Sequence, residues 1–99
     1  MNAIVDLPKA HPYIAKRQTV CGGRSVIDGT RIPVWSLIKW YKIGMSIEEI
    51  MREFPDLPPA QVHDAFSYYY DHQAEIERDI WENENEAYLR TLAADLVVS

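Results

Sequence analysis

The stretch that decides the fold is GMSIEEIMREFPDLPPAQVHDAFSYYY, residues 44–70, which predicts two short helices joined by a tight turn. Ser46, followed three residues later by Glu49, forms a capping box that starts the first of these helices. Pro55 ends that helix, because proline disfavours helical geometry in the residue before it. The second helix begins at about Pro59, which suits a first helical turn. The order helix, turn, helix is that of a DNA-reading unit, in which the second helix lies in the major groove.

The charges of this unit disfavour DNA reading by its second helix. Residues 53–70 contain no Lys or Arg, and Asp56 and Asp64 lie where DNA phosphates would pass. Among the first exposed residues of the helix, Gln61 could contact adenine and His63 could contact a phosphate, but no arginine is available for guanine. We therefore predict a helix-turn-helix shape whose second helix reads DNA poorly.

The residues before this unit predict a further amphipathic helix. Pro33 suits its first turn, where the missing N–H is not needed, and Gly44 closes it as a C-cap. Together with the helix-turn-helix unit it makes a three-helix core. Its apolar positions, at the spacing of one helix face, are Val34, Leu37, Ile38 and Tyr41.

A small β-hairpin is expected before the helices. Gly22-Gly23 separates two short segments rich in β-branched residues, and both glycines can adopt the positive φ that a two-residue turn requires. Asp28-Gly29 predicts a second turn. Two short strands are not stable alone, so we expect the hairpin to pack on the helices or on a copy of itself, as the contact of a homodimer.

The C-terminal residues predict an acidic helical extension. Three helices can already enclose a core, so an apolar stripe beyond them has no obvious place in its own domain, and such a stripe commonly contacts a partner. The alternative is a tail that folds back or frays. We expect an arm at residues 1–15, a hairpin and helical core at 16–72, and the extension at 73–99. The predicted partner contacts are Ile76, Ile80, Trp81, Tyr88, Leu89, Leu92 and Leu96.

Composition predicts one folded domain of a reduced compartment. The chain has 99 residues, 47% of them hydrophobic, and a mean hydropathy of -0.27. The single Cys21 cannot form an internal disulfide, which favours the cytoplasm. No apolar run approaches the length of a membrane span, and the first residues lack the pattern of a signal peptide.

The charge is divided unevenly along the chain. Residues 1–52 hold eight basic and four acidic residues, whereas residues 53–99 hold two basic and eleven acidic ones. Such halves indicate two different partners or one that they share; the alternatives are halves that neutralise one another in a dimer, or a solvated surface. DNA contact, if it occurs, should come from the hairpin side. The residues predicted to contact DNA are Arg17, Arg24, Arg31, Lys39, Lys42, Gln61 and His63.

Catalytic and metal-binding functions are disfavoured. Cys21 has no His close in sequence to act as its base. A cluster of His63, Asp64, Asp71 and His72 could be imagined around a metal ion, but His72 turns away from the others on a helix, and such histidines are more often solvated or hydrogen-bonded. We predict no catalytic residue, no metal and no cofactor.

From about Pro12 to Ile80 the chain resembles domain of unknown function 433, the VapB-like antitoxins with a homeodomain-like helical core. The most specific stretches are GTRIPV at 29–34, GMSIEEI at 44–50 and FPDL at 54–57. The resemblance implies an antitoxin that binds and inhibits a PIN-like ribonuclease toxin encoded beside it, and that regulates its own operon by binding DNA. The family usually has Thr or Ser before the third helix, where this chain has Pro58 and lacks the side-chain cap.

Two other functions stay open. One is a small helix-turn-helix transcriptional regulator without a toxin partner, and the weaker one is a scaffold that helps another enzyme assemble. As an antitoxin, the chain would use its acidic extension to cover the basic RNA-binding surface of the ribonuclease, with the aromatic and leucine side chains as anchors. The acidic residues expected to take part are Glu75, Glu77, Asp79, Glu82, Glu84 and Glu86.

Overall fold

The computed structural model describes the backbone of residues 10–98 and the side chains of residues 10–94. Within those limits the chain is mainly helical with a small N-terminal sheet, which confirms the predicted fold class. Residues 1–9 of the predicted arm and the side chain of Leu96 lie outside the described residues. The elements are β1 (Ile14–Ala15), β2 (Val26–Ile27), α1 (Val34–Lys42), α2 (Ile47–Glu53), α3 (Pro59–Asp71) and α4 (Gln73–Val98).

Local chemistry sets both ends of α2 and the start of α3 as predicted. The Ser46 hydroxyl accepts the Glu49 N–H at 3.1 Å, and the Glu49 carboxylate accepts the Ser46 N–H at 3.0 Å, which completes the capping box. α2 ends with Phe54 as its C-cap, directly before Pro55. α3 has Pro58 at its N-cap with no side-chain hydrogen bond.

The ends of α1 follow the prediction except for one residue. Pro33 is the N-cap, with φ -75° and ψ 145°, so the helix begins at Val34 rather than at the proline. Gly44 follows the C-cap Ile43 with φ +117°, a conformation that favours glycine. Its N–H donates to the Tyr41 carbonyl at 3.1 Å, which closes the helix.

The predicted two-residue hairpin at Gly22-Gly23 is wrong. β2 pairs antiparallel with β1, in the register Ile14 to Ile27 and Ala15 to Val26, so residues 16–25 lie between the paired strands. The two glycines do have positive φ, 64° and 83°, but they belong to a short 3-10 turn. The hairpin prediction failed because the strand partner lies further upstream, in residues assigned to the arm. The Asp28-Gly29 turn is confirmed by the Thr30 N–H, which donates to the Ile27 carbonyl at 3.0 Å.

The core requires four helices rather than three. Leu37, Ile38, Ile50 and Val62 are fully buried, and so is Ile76 of α4. Ile80 also belongs to this core, at 8% exposure. The assignment of Ile76 and Ile80 as partner contacts is therefore corrected, because their side chains already pack inside the chain's own body.

α4 continues well beyond the core. We call residues 73–82 its inner half and residues 83–98 its outer half. Every side chain from Glu86 to Ala94 is exposed, and 26 residues of helix span about 39 Å. The protein accordingly measures 66 Å along its longest axis, against 32 and 23 Å across. Of the helices described, none is both long enough and apolar enough to cross a bilayer.

Candidate protein interface

Arg24 links the 3-10 turn to the inner half of α4. Its Nε lies 3.5 Å from Asp79 Oδ1 and its Nη2 lies 3.4 Å from Glu82 Oε1. The Asp79 side chain is only 6% exposed, and burial raises the pKa of this carboxyl. Arg24 Nε is itself buried, and no hydrogen-bond acceptor for it lies among the residues that the structure describes. The attraction between Arg24 and Asp79 is thus direct and only weakly screened by water.

A second link joins α1 to the inner half of α4. The Lys42 ammonium group donates to both carboxylate oxygens of Glu77, and this bond lowers the pKa of Glu77. The Tyr69 hydroxyl donates to the same carboxylate at 2.7 Å. The hydrogen bond to Glu77 raises the pKa of Tyr69 to about 12, so the phenol stays protonated at neutral pH.

A third link is a polar network beneath β2. Glu75 accepts hydrogen bonds from the Ser25 hydroxyl at 2.5 Å and from the Tyr68 hydroxyl at 2.7 Å, and Lys16 Nζ lies 3.3 Å away. Burial opposes ionisation of Glu75, but these hydrogen bonds and the lysine together hold its pKa below the usual range. Ser25 is almost fully buried, so the network is satisfied where an unpaired polar group would be costly.

These links change the interpretation of the uneven charge. Several cations of the basic half pair with acids of the acidic half within a single chain. Of the cations predicted to contact DNA, Arg24 and Lys42 bind α4, and Arg17 pairs with Asp28 at 2.7 Å. Arg31 is exposed and Lys39 is half-buried. The expectation that the acids of the extension cover a toxin is corrected for Glu75 and Asp79, which are largely buried and paired within the chain. Glu77 and Glu82 are also paired within the chain, but their side chains are 41% and 45% exposed.

The N-terminal segment covers one side of α3. Both ring nitrogens of His11 face carboxylates, with Nδ1 3.3 Å from Asp64 Oδ1 and Nε2 2.7 Å from Asp71 Oδ2. The Tyr13 N–H donates to the other oxygen of Asp64 at 2.9 Å. Sequence reasoning missed His11, because nothing near it indicates a partner more than fifty positions away in the chain.

The polar residues predicted for DNA reading lie on a different helix from the cations. His63 is exposed on α3 and Gln61 is half-buried, whereas the cations lie on the turns and on α1. His72 stacks on Tyr68, with ring centroids 4.3 Å apart. Among the described residues, no group of three or more His, Cys, Asp or Glu side chains could hold a metal ion.

The outer half of α4 carries an exposed apolar stripe, which we call the outer stripe. Tyr88, Leu89 and Leu92 are 61%, 62% and 41% exposed. Their spacing places them on one face of the helix. Glu84 and Glu86 occupy the same part of the helix, and Glu86 pairs with Arg90 at 2.5 Å.

A cleft between α1 and α4 has a volume of about 500 Å³. Two large apolar side chains at its edges, Ile43 on the C-terminal end of α1 and Trp81 on α4, are each 64% exposed. We call this feature the α1–α4 cleft. The residues that line it are Lys39, Lys42, Ile43, Glu77, Ile80, Trp81 and Glu84.

The fold and these surfaces define a small helical domain, built on a helix-turn-helix unit, with a projecting C-terminal helix. Residues 14–69 match the family described as "Protein of unknown function (DUF433)". This match covers more than half of the chain, so the protein belongs to that family.

A solved structure supports the same fold. The crystal structure of a DUF433 member protein from Anabaena variabilis ATCC 29413 is 28% identical in sequence and superposes with a TM-score of 0.66. The likeness covers 80% of this chain and 90% of that one. No curated protein matches this chain.

Proposed function

We propose that this protein is an antitoxin that binds a partner protein through the outer half of α4, and that the partner is a PIN-like ribonuclease toxin. The observation that carries the proposal is the outer stripe. Tyr88, Leu89 and Leu92 are exposed on a helix that has left the body of the protein. The class of the partner comes from the family resemblance.

Burial of the outer stripe by another protein gives a physical reason for its composition. Contiguous apolar surface on a small protein is typical of an interaction site. Helices commonly dock by inserting residues at positions i, i+3, i+4 and i+7 into an apolar groove. Tyrosine is over-represented among the residues that dominate binding energy. Tyr88 and Leu92 keep such a spacing, i and i+4, along one face of α4.

Charge supports the proposal less strongly than the sequence predicted. The acids of the inner half are already paired, so only those near the outer stripe are available to a basic surface. Glu84 forms no ion pair with any residue from Ala10 to Ala94. Such rim charges mainly accelerate encounter and set orientation, whereas apolar anchors determine affinity.

Regulation of an operon through DNA binding stays a separate proposal. Pairing of Arg17, Arg24 and Lys42 within the chain leaves few cations for phosphates. Binding to upstream DNA should therefore be weak and lose little affinity as salt rises, because few counterions are released. The same expectation holds for the alternative function, a transcriptional regulator without a toxin. Strong, steeply salt-dependent binding would favour that alternative.

The experiment is a binding measurement between the full chain and the protein encoded by the neighbouring reading frame, after co-expression. Leu89→Glu should weaken the complex about tenfold or more, because a charge replaces an apolar anchor. Ala87→Glu is the matched control, since Ala87 is equally exposed but lies on the other side of the helix. Equal affinity of the two variants, or no complex with the wild-type chain, would refute the proposal.

A further inference from the structure

We propose that the α1–α4 cleft is a self-association surface, through which two copies of the chain pair about a twofold axis. The proposal stands on the α1–α4 cleft, whereas the proposed function stands on the outer stripe, and the two surfaces share only Glu84. It also differs from the dimer expected through the β-hairpin.

Burial of the apolar part of the cleft in an interface should be favourable. Ile43 and Trp81 stand on its two sides with 64% of each side chain exposed, and the buried Ile80 also lines it. Large aromatic and aliphatic side chains of this kind form the centre of most protein interfaces. Ile43 is separate from the packed core, so its exposure does not follow from the requirements of folding.

The charges at the rim of the cleft complement those of a second, rotated copy. Lysines line the α1 side and glutamates line the α4 side. Lys42 and Glu77 are paired within the chain, but Lys39 and Glu84 form no ion pair between Ala10 and Ala94. A twofold rotation about an axis that runs along the cleft brings the α1 side of one copy against the α4 side of the other. Lys39 then meets Glu84 of the second copy, and this contact occurs twice.

This polarity identifies the occupant as a second copy. A basic protein would be repelled by the two lysines, and an acidic one by the glutamates, whereas the rotated copy presents the opposite charge at both positions. The pairing also leaves the outer stripe accessible, because Tyr88 lies about 10 Å beyond Trp81 along the helix axis. A dimer of this kind presents two outer stripes at once.

The test is a measurement of molar mass by light scattering on the full chain after gel filtration. The wild type should be a dimer. Lys39→Glu and Glu84→Lys should each be monomeric, because each variant places like charges together at both contacts. An equimolar mixture of the two variants should form a heterodimer, because the reversed charge at position 39 of one chain then faces the reversed charge at position 84 of the other. The mixture also shows that both variants are folded.

Arg31→Glu provides the matched control, since it makes the same charge change at an exposed residue between β2 and α1. It should leave the dimer intact. The proposal is overturned by a monomeric wild type, by a Lys39→Glu variant that stays dimeric, or by a mixture that stays monomeric. A monomeric Arg31→Glu variant would also overturn it and would favour pairing through the hairpin.

Discussion

Arg24 Nε lies 3.5 Å from Asp79 Oδ1, and this contact joins the basic half of the sequence to the acidic half. The arginine comes from the 3-10 turn between the two strands, and the aspartate lies on the buried side of α4. The Asp79 carboxylate, at 6% exposure, is therefore committed to this contact within the chain. The inner half of α4 belongs to the body of the protein, and the outer stripe lies beyond it.

Removal of Arg24 should destabilise the protein strongly. Arg24→Met leaves Asp79 buried and without its cation, which costs about 3 kcal/mol, the lower end of the range for broken buried pairs because Arg24 is 29% exposed. Urea unfolding at neutral pH measures the change. The loss should shrink in acid, since a protonated Asp79 needs no cation.

The matched control for this prediction is Arg17→Met. Arg17 and Asp28 also form an ion pair, but their side chains are 52% and 45% exposed. Exposed pairs contribute little, so the free energy of unfolding should change by about 0.5 kcal/mol or less. Equal effects of the two variants would contradict the distinction drawn between the buried and the exposed pair.

Loss of an apolar side chain should lower the free energy of unfolding strongly in the inner half of α4 and only slightly in the outer half. Ile76→Ala removes a fully buried side chain and should cost about 2–5 kcal/mol in the free energy of unfolding. Leu89→Ala removes one that is 62% exposed and should change stability by about 0.5 kcal/mol or less. Thermal unfolding followed by circular dichroism compares the two. A stable Ile76→Ala variant would show that the core does not include α4.

The lowered pKa of Glu75 predicts that the protein loses stability in acid. Its pKa is held below the ordinary value of 4.5, so its ionised form stabilises the folded state above that pH. This contribution disappears as the pH falls through the lowered pKa of the folded state. Glu75→Gln should therefore be less stable than the wild type at neutral pH, and the difference should narrow below pH 4.5. A difference that stays constant with pH would exclude this account.

The capping box of α2 predicts a local effect. Ser46→Ala removes the acceptor of the Glu49 N–H and should cost about 1 kcal/mol. Ser67→Ala is a suitable control, since Ser67 is exposed on α3 and alanine is the better helix former. Chemical denaturation should separate the two variants clearly, and similar midpoints would argue against a stabilising cap.

Much of the fold could be predicted because it depends on short-range chemistry. A capping box needs only residues i and i+3, and a proline affects its immediate neighbour, so the start and end of α2 could be read directly. The pairing of β2 with β1 could not be predicted in this way. The glycines at 22 and 23 satisfied the requirement of a tight turn, but the partner of β2 is chosen by packing against α3, which local sequence does not encode.

The candidate site was predictable only in part for a similar reason. Ile76 and Leu92 both follow helical apolar spacing, and this spacing is the same whether a helix face is covered by its own chain or by another protein. What separates them is burial: Leu92 is 41% exposed, whereas Ile76 is fully buried in one core with Leu37 of α1 and Val62 of α3. These core residues are far apart in sequence, so their packing follows from the fold.

The continuity of α4 affects the conformational entropy that is lost when a partner binds its outer half. A free peptide of this length would have to form its first helical turn unaided, which is the unfavourable step in helix formation. Here the inner half is already fastened to the body, so the outer half only has to propagate a helix that exists. The body of the protein thus keeps the outer half helical before binding, and less conformational entropy is lost when a second molecule binds it.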